Sequence, residues 1–194
     1  MDDEPTDEEL LHQAAAGDGE AFAWLFRRHR DRVFRHVLRL ASTPSDAEDL
    51  VALTFAEAWR KRNRVHISGS SLLPWLLVTA SHLARNNTRA FRRHQALLSK
   101  MPPPEPVSDH SDHVLERLDH NDIANRVRRS FERLTDRDRE ILSLCVLEDL
   151  STNQVATLLR VPPGTVKSRL SRARSRLAEI VAADLSPEEI RSMQ

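Results

Sequence analysis

The chain has 194 residues, with 29 basic side chains against 29 acidic ones and a formal net charge of zero. That length suits two small cores rather than one large one, and the neutral total by itself points to no charged partner. A single cysteine, Cys145, excludes a disulfide framework and a C-x-x-C zinc site and suits a reducing cytoplasm, while four glycines and no tyrosine argue against a β-rich fold or a Gly-loop nucleotide enzyme.

In chain order, Met1-Asp2-Asp3-Glu4 is acidic, unlike a secretory signal or transit peptide. Thr6 and Glu9 form the S/T-x-x-E signature, in which the hydroxyl accepts an orphan amide and the carboxylate reaches back, and they predict a short helix ending near Gly17. Glu20 to Leu40 carries helical apolar spacing. Ser45 with Glu48, after Pro44, predicts the start of a helix running to about Arg62.

At 100° per residue, the inward stripe of that helix is Ala47, Val51, Thr54, Phe55, Ala58 and Trp59. The opposite stripe holds Asp49, Leu53, Ala56 and Arg60, an apolar residue in the middle of a polar face. The acids Asp46, Glu48 and Asp49 sit in the first turn, where they complement the helix dipole. The face therefore reads as a protein-docking surface rather than an active site.

His66 to Ser71 is a polar loop containing Ser68, Gly69 and Ser70. The longest apolar stretch, Leu72 to Ala80, contains Pro74 and is far short of the roughly 20 residues of a membrane span, so no membrane insertion is expected. The helix after Pro74, to about Arg93, turns Leu76, Ala80, Leu83, Ala84 and Phe91 toward a core. Its other side aligns Trp75, Thr79, His82, Asn86, Arg89 and Arg93. A ring, hydrogen-bonding side chains and cations in line suit a single strand of nucleic acid. The alternative is a solvated face with Trp75 folded back into the core.

Lys100 to Asp109 has four prolines in ten residues and predicts a semi-extended linker. Helical spacing resumes over Val114 to Phe131 and Asp136 to Leu147, where Cys145 lies in an apolar run and reads as a core residue. Ser151 with Gln154 caps a short helix to Arg160, Val161-Pro162-Pro163-Gly164 makes a turn, and a second helix begins at residues 163–165, which is helix-turn-helix spacing.

In that second helix Val166, Leu170, Ala173 and Leu177 share the inward face. Ser168, Ser171, Arg172 and Ser175 face outward, flanked by Lys167 and Arg174 on one side and by Arg169 and Arg176 on the other. Small hydroxyls between cations let a helix sit deep in a major groove. Ser186 to Glu189 predicts a final helical stub.

Resolved along the chain, the zero charge is uneven. Residues 21–100 carry 15 basic groups against five acidic ones, and residues 151–180 carry six against one, whereas residues 1–20 have eight acids and no Lys or Arg. Two basic blocks between acidic segments suggest polyanion binding. Twenty-six of the 29 cations are arginine, which favours bidentate contact with phosphate and guanine, although a GC-rich genome produces the same bias.

Three blocks carry a family resemblance: Ser45-Asp-Ala-Glu-Asp-Leu-Val-Ala-Leu-Thr-Phe-Ala-Glu-Ala-Trp-Arg60, Pro74-Trp-Leu-Leu, and Val161-Pro-Pro-Gly-Thr-Val-Lys-Ser-Arg-Leu-Ser-Arg-Ala-Arg174. In this order, across a Pro-rich linker, the chain resembles the extracytoplasmic-function RNA polymerase sigma factors, which keep only regions 2 and 4. The resemblance implies an all-α protein: a region 2 domain over 1–98, a linker over 99–112, a helix-turn-helix region 4 domain over 113–183 and an acidic tail over 184–194.

It further implies polymerase docking through Asp46, Asp49, Leu53, Ala56 and Arg60, on the clamp and flap of the largest core RNA polymerase subunits. Opening of the −10 promoter element would fall to Ser68, Gly69, Ser70, Trp75, Thr79, His82, Asn86, Arg89 and Arg93. Duplex reading of the −35 element would fall to Thr165, Lys167, Ser168, Arg169, Ser171, Arg172, Arg174 and Arg176. An anti-sigma partner in the cytoplasm is implied as well, with no cofactor, metal or catalysis.

The family usually has Gln and an acid where this chain has Ala52 and Leu53, and Asn where it has His82. Leu53 offers an apolar contact instead, and an imidazole at position 82 can pair with a base and titrate near neutral pH. The residues alone also admit a stand-alone helix-turn-helix regulator that binds a palindrome as a dimer, and a nucleic-acid enzyme. The second lacks any H-E-x-x-H or Ser/His/Asp signature.

Overall fold

The structure is a computed structural model and describes residues 4–65, 67, 71–98 and 122–184, with side chains described for 4–65, 67, 71–87 and 126–184. The described residues form eight α-helices and one π-helical turn: α1 (Asp7–Ala15), α2 (Gly19–Leu38), α3 (Pro44–Lys61), α4 (Leu73–Leu98), α5 (Asp122–Glu132), α6 (Asp136–Leu142), the π turn Ser143–Leu147, α7 (Thr152–Leu159) and α8 (Pro163–Asp184). The architecture is all-α, as the sequence predicts.

The helix starts follow their caps. Thr6 and Ser151 head complete capping boxes with Glu9 and Gln154. At α3 the structure corrects the expected start. The cap is Thr43, not Ser45: its hydroxyl accepts the Asp46 N–H at 3.0 Å, and the Asp46 carboxylate accepts the Thr43 N–H at 3.1 Å. Pro44 then occupies the first helical position, where its fixed φ and missing N–H cost nothing. Asp18 caps α2 by accepting from the amides of Glu20 and Ala21.

Two further elements differ from expectation: α4 runs to Leu98, past the expected end near Arg93, and the helix from Asp136 is interrupted. The segment from Asp136 does not stay α-helical to Leu147, because it passes into the π turn at Ser143. α8 runs on to Asp184, and Arg133 pairs with that terminal carboxylate at 2.8 Å. The expected stub from Ser186 and the proline-rich linker lie outside the described residues.

The core is divided. One apolar cluster joins α1 to α4 through Leu10, Leu25, Val33, Leu50, Phe55 and Leu76, with Phe22, Phe55 and Trp59 in edge-on ring contacts. A second cluster joins α5 to α8 through Leu134, Ile141, Leu144, Val155, Val166, Leu170 and Ala173. This second cluster also takes in Leu77 and Val78 of α4, so the two bundles are packed together. Cys145 is half-buried against the second cluster, and burial raises its thiol pKa against the opposing effect of Arg174. An inert core thiol is what the sequence predicts.

Candidate nucleic-acid interface

The helix-turn-helix is built locally. α7 ends on Arg160, whose φ of +55° makes it a left-handed cap without glycine, and the chain turns through Pro162 into α8. On α8, Val166, Leu170 and Ala173 are buried and Leu177 is half-buried, so the inward stripe lies where the periodicity puts it. Lys167, Ser168, Ser171, Arg172 and Arg174 are exposed on the far side, and Thr165 and Arg169 are half-buried. Ser168 donates back to the Thr165 carbonyl and Arg172 Nε to the Ser168 carbonyl at 3.2 Å, which lays that guanidinium along the helix. Arg176 is exposed but already engaged, donating to Asp138 at 2.6 Å.

On α3 the outward face is as predicted: Asp49, Ala56 and Arg60 are exposed, and Leu53 is 53% exposed and belongs to neither apolar cluster of the described residues. Arg60 makes a two-pronged pair with Glu57 at 2.7 and 2.8 Å, and Lys61 joins from the next position. The Arg60 and Lys61 bonds hold the Glu57 carboxyl well down, at about 2. Asp46 is half-buried in the Thr43 capping box, so its first duty is to hold the start of the helix.

The predicted stripe of α4 is only partly free. Asn86 is exposed, but Thr79 is half-buried and Trp75 packs partly against the first core, close to the folded-back alternative. His82 lies 3.6 Å from Glu140 of α6. Burial lowers the His82 pKa, outweighing the raising effect of Glu140, which favours the neutral ring. The side chains of Arg89 and Arg93, and residues Ser68, Gly69 and Ser70, lie outside the described set.

What the loop's far end is tied to is visible. The buried Asp7 carboxylate accepts from Ser71 Oγ at 2.9 Å, Leu72 N–H at 2.7 Å and Arg28 at 2.8 Å, and it meets His29 Nε2 at 2.7 Å. Beside it is an open hollow of about 350 Å³, lined by Pro5, Thr6, Arg28, His29 and Ser71 among others. Among the described residues, no cluster of three His, Cys, Asp or Glu side chains could hold a metal, and no helix is long and apolar enough to cross a membrane.

Two family models match the chain: Sigma-70 region 2 over residues 25–96, and Sigma-70, region 4 over residues 114–177. The ECF RNA polymerase sigma factor SigK of Mycolicibacterium vanbaalenii is 31% identical over 161 residues, covering 83% of this chain and 82% of the relative. The chain belongs to the extracytoplasmic-function RNA polymerase sigma factors. It is a promoter-directing transcription initiation factor, and the stand-alone regulator is not favoured.

Two solved structures of sigma factors share this fold. CnrH in complex with the cytosolic domain of CnrY superposes with a TM-score of 0.65 at 24% identity, covering 92% of this chain and 99% of that one. The sigma factor RpoE of Bartonella quintana, in complex with the anti-sigma factor NepR, gives 0.61 at 24% identity, covering 84% and 98%. The region 2 match takes in α3, all but the last two residues of α4 and most of α2, and the region 4 match takes in α5 to α7 and α8 as far as residue 177.

The sequence reading missed the groups at the seam between the bundles. These are Glu140 and Glu148 on one side and Arg32, His36, Arg39 and Arg85 on the other. The available signal was Leu77 and Val78, which are apolar yet off the core stripe of their helix. A helix apolar on more than one face has more than one neighbour.

Proposed function

We propose that this sigma factor docks on the clamp and flap of core RNA polymerase and distributes promoter recognition between its two bundles. α8 reads the −35 duplex with Thr165, Lys167, Ser168, Arg169, Ser171, Arg172 and Arg174. Arg176 is held back by Asp138 and acts on phosphate once that pair yields. The loop before α4, with Trp75, Thr79, His82 and Asn86 and then Arg89 and Arg93, receives the opened −10 strand. The α3 face around Leu53 meets polymerase, with Asp49, Ala56 and Arg60 around it and Asp46 setting the helix start.

The observation that carries the reading is α8. One helix has its apolar stripe sealed into a helix-turn-helix core and its opposite face covered with exposed cations and small hydroxyls. That is the shape and charge a major groove accepts. Nothing in the proposal calls for chemistry by the protein itself, which works in the cytoplasm as a specificity subunit without cofactor. The anti-sigma complex of the Bartonella RpoE supports a regulatory partner of the same kind here.

The test is reconstitution with core polymerase on a random-promoter library. Selective run-off transcription from promoters sharing two spaced elements is the expected result. Failure to bind core, or protection of a palindrome by the protein alone, overturns the reading.

A further inference from the structure

Two described residues other than glycine have positive φ, Asp149 at +54° and Arg160 at +55°, one on each side of α7. Aspartate is among the residue types enriched in that region. Arginine is not, because its Cβ crowds the following carbonyl oxygen, and glycine is the ordinary occupant of such a helix end.

The backbone on either side imposes the turn on Arg160. Its N–H donates to the Thr157 carbonyl at 3.2 Å, and the Val161 N–H donates to the Ala156 carbonyl at 3.0 Å, the paired bonds of a Schellman ending. Val161 then packs against the second apolar cluster. The Arg160 side chain takes no part in this: it is exposed and makes no hydrogen bond or ion pair among the described residues.

Other arginines of the same motif are already engaged. Arg176 is held by Asp138, and Arg172 is laid along α8 toward the Ser168 carbonyl. Arg160 stands in the turn just before Pro163 opens α8, where Pro162, Pro163 and Gly164 are also exposed. In a helix-turn-helix the second helix enters the major groove by its N-terminal residues while the first crosses the backbone. The turn between them therefore lies at the groove edge, beside a sugar-phosphate strand.

We propose that Arg160 is a phosphate contact of the −35 duplex, set at a glycine position at the expense of the free protein's stability. Backbone strain that the surroundings over-determine gathers at functional positions, and the guanidinium fork matches phosphate oxygens. Such a contact seats α8 in the groove and leaves base reading to α8 itself. The proposal rests on the reading of α8 given above and adds a residue outside that helix. A cation placed here only to complement the dipole of α7 would stabilise the free protein, and its loss would leave DNA binding unchanged.

The experiment follows thermal unfolding of the full chain, and promoter binding by the holoenzyme reconstituted with core polymerase, at several salt concentrations on a promoter drawn from the random library. Arg160→Gly is expected to raise the melting temperature by about 2–4 °C. It should also weaken promoter binding about fivefold and reduce the log–log salt slope by about 0.9, the share of one phosphate contact. Arg160→Asn, which tolerates the left-handed backbone without the freedom of glycine, should lose the same slope, and Arg160→Lys should keep it. Relative affinities over single-base −35 variants should not change, because a phosphate contact carries no sequence information.

An unchanged salt slope in the Gly and Asn variants overturns the proposal, even if affinity falls. So does a lower melting temperature on Arg160→Gly, which would make the side chain a structural cap, or a loss confined to one base position. Should Arg172→Ala relax base preference while the Arg160 variants keep the full slope, this proposal falls and the reading of α8 stands. Should the Arg160 variants lose slope while Arg172→Ala changes nothing, the phosphate contact stands and the reading of α8 falls.

Discussion

The carboxylate of Asp7 accepts the backbone N–H of Leu72 at 2.7 Å, so the first turn of α1 holds the chain just ahead of α4, 65 residues away. The same carboxylate binds Arg28, His29 and Ser71, and their hydrogen bonds, with that of Leu72, outweigh the raising effect of burial to keep its pKa well below the usual aspartate range. A terminal residue thereby supports the loop and helix assigned to the −10 element.

Asp7→Ala leaves a buried amide and an imidazole without their acceptor. It should destabilise the N-terminal bundle by about 3 kcal/mol, and Asp7→Asn by less, as read by urea denaturation. The sign of the pH effect follows from the depressed pKa. The folded value lies below the unfolded one of about 3.9, so the contribution is complete above that value and is lost as pH falls through the folded value. Glu148 behaves in the same direction: burial raises its pKa, but the nearby His36 ring and the bonds from Arg32 and Arg39 hold it at about 2, so its contribution fades between 4.5 and about 2. Acid titration should therefore loosen both the Asp7 junction and the seam, while Asp7→Asn should flatten only the first.

Leu53→Asp should weaken core polymerase binding tenfold or more, about 1.4 kcal/mol, because an exposed apolar contact becomes a charge. The melting temperature should stay within a degree or two, since Leu53 touches neither apolar core. A large loss of stability would show that the face is structural.

Arg172→Ala should cost about 1–3 kcal/mol of −35 affinity in the holoenzyme and relax the base preference at one position. Arg176→Ala should cost less, since that guanidinium already spends its charge on Asp138. Footprinting over a set of single-base −35 variants separates the two.

Asn86→Ala should slow strand opening with little change in stability, because the side chain is exposed. Trp75→Ala should slow opening and also lower stability by about 1–2 kcal/mol, since its ring packs partly on the first core. Upstream binding should survive in both, as read by permanganate reactivity beside −35 footprinting.

Much of this protein was legible in its sequence because the signals are local. The capping boxes at Thr6 and Ser151, the inward stripes of α3 and α8, and the helix-turn-helix spacing all depend on residues three or four apart, within one helix. The outward faces of Leu53 and Arg172 follow from the same periodicity, so those candidate residues stand where the sequence put them. Even the one misplaced cap was off by only two residues, Thr43 standing where Ser45 was expected, because Pro44 takes the first helical position.

What only the tertiary structure decided is everything that joins distant residues. Nothing in the pattern links Asp7 to Leu72, Arg39 to Glu148 or Arg85 to Glu140, because an ion pair or hydrogen bond across 55 to 109 residues leaves no periodic trace. The charge of His82 depends first on its burial and then on Glu140, and a side chain's pKa is set by burial and by what it meets as well as by its own identity. The sequence by itself determined helical bundles with basic segments and outward polar faces. How those bundles cover each other, and which cations remain free for DNA, belonged to the fold.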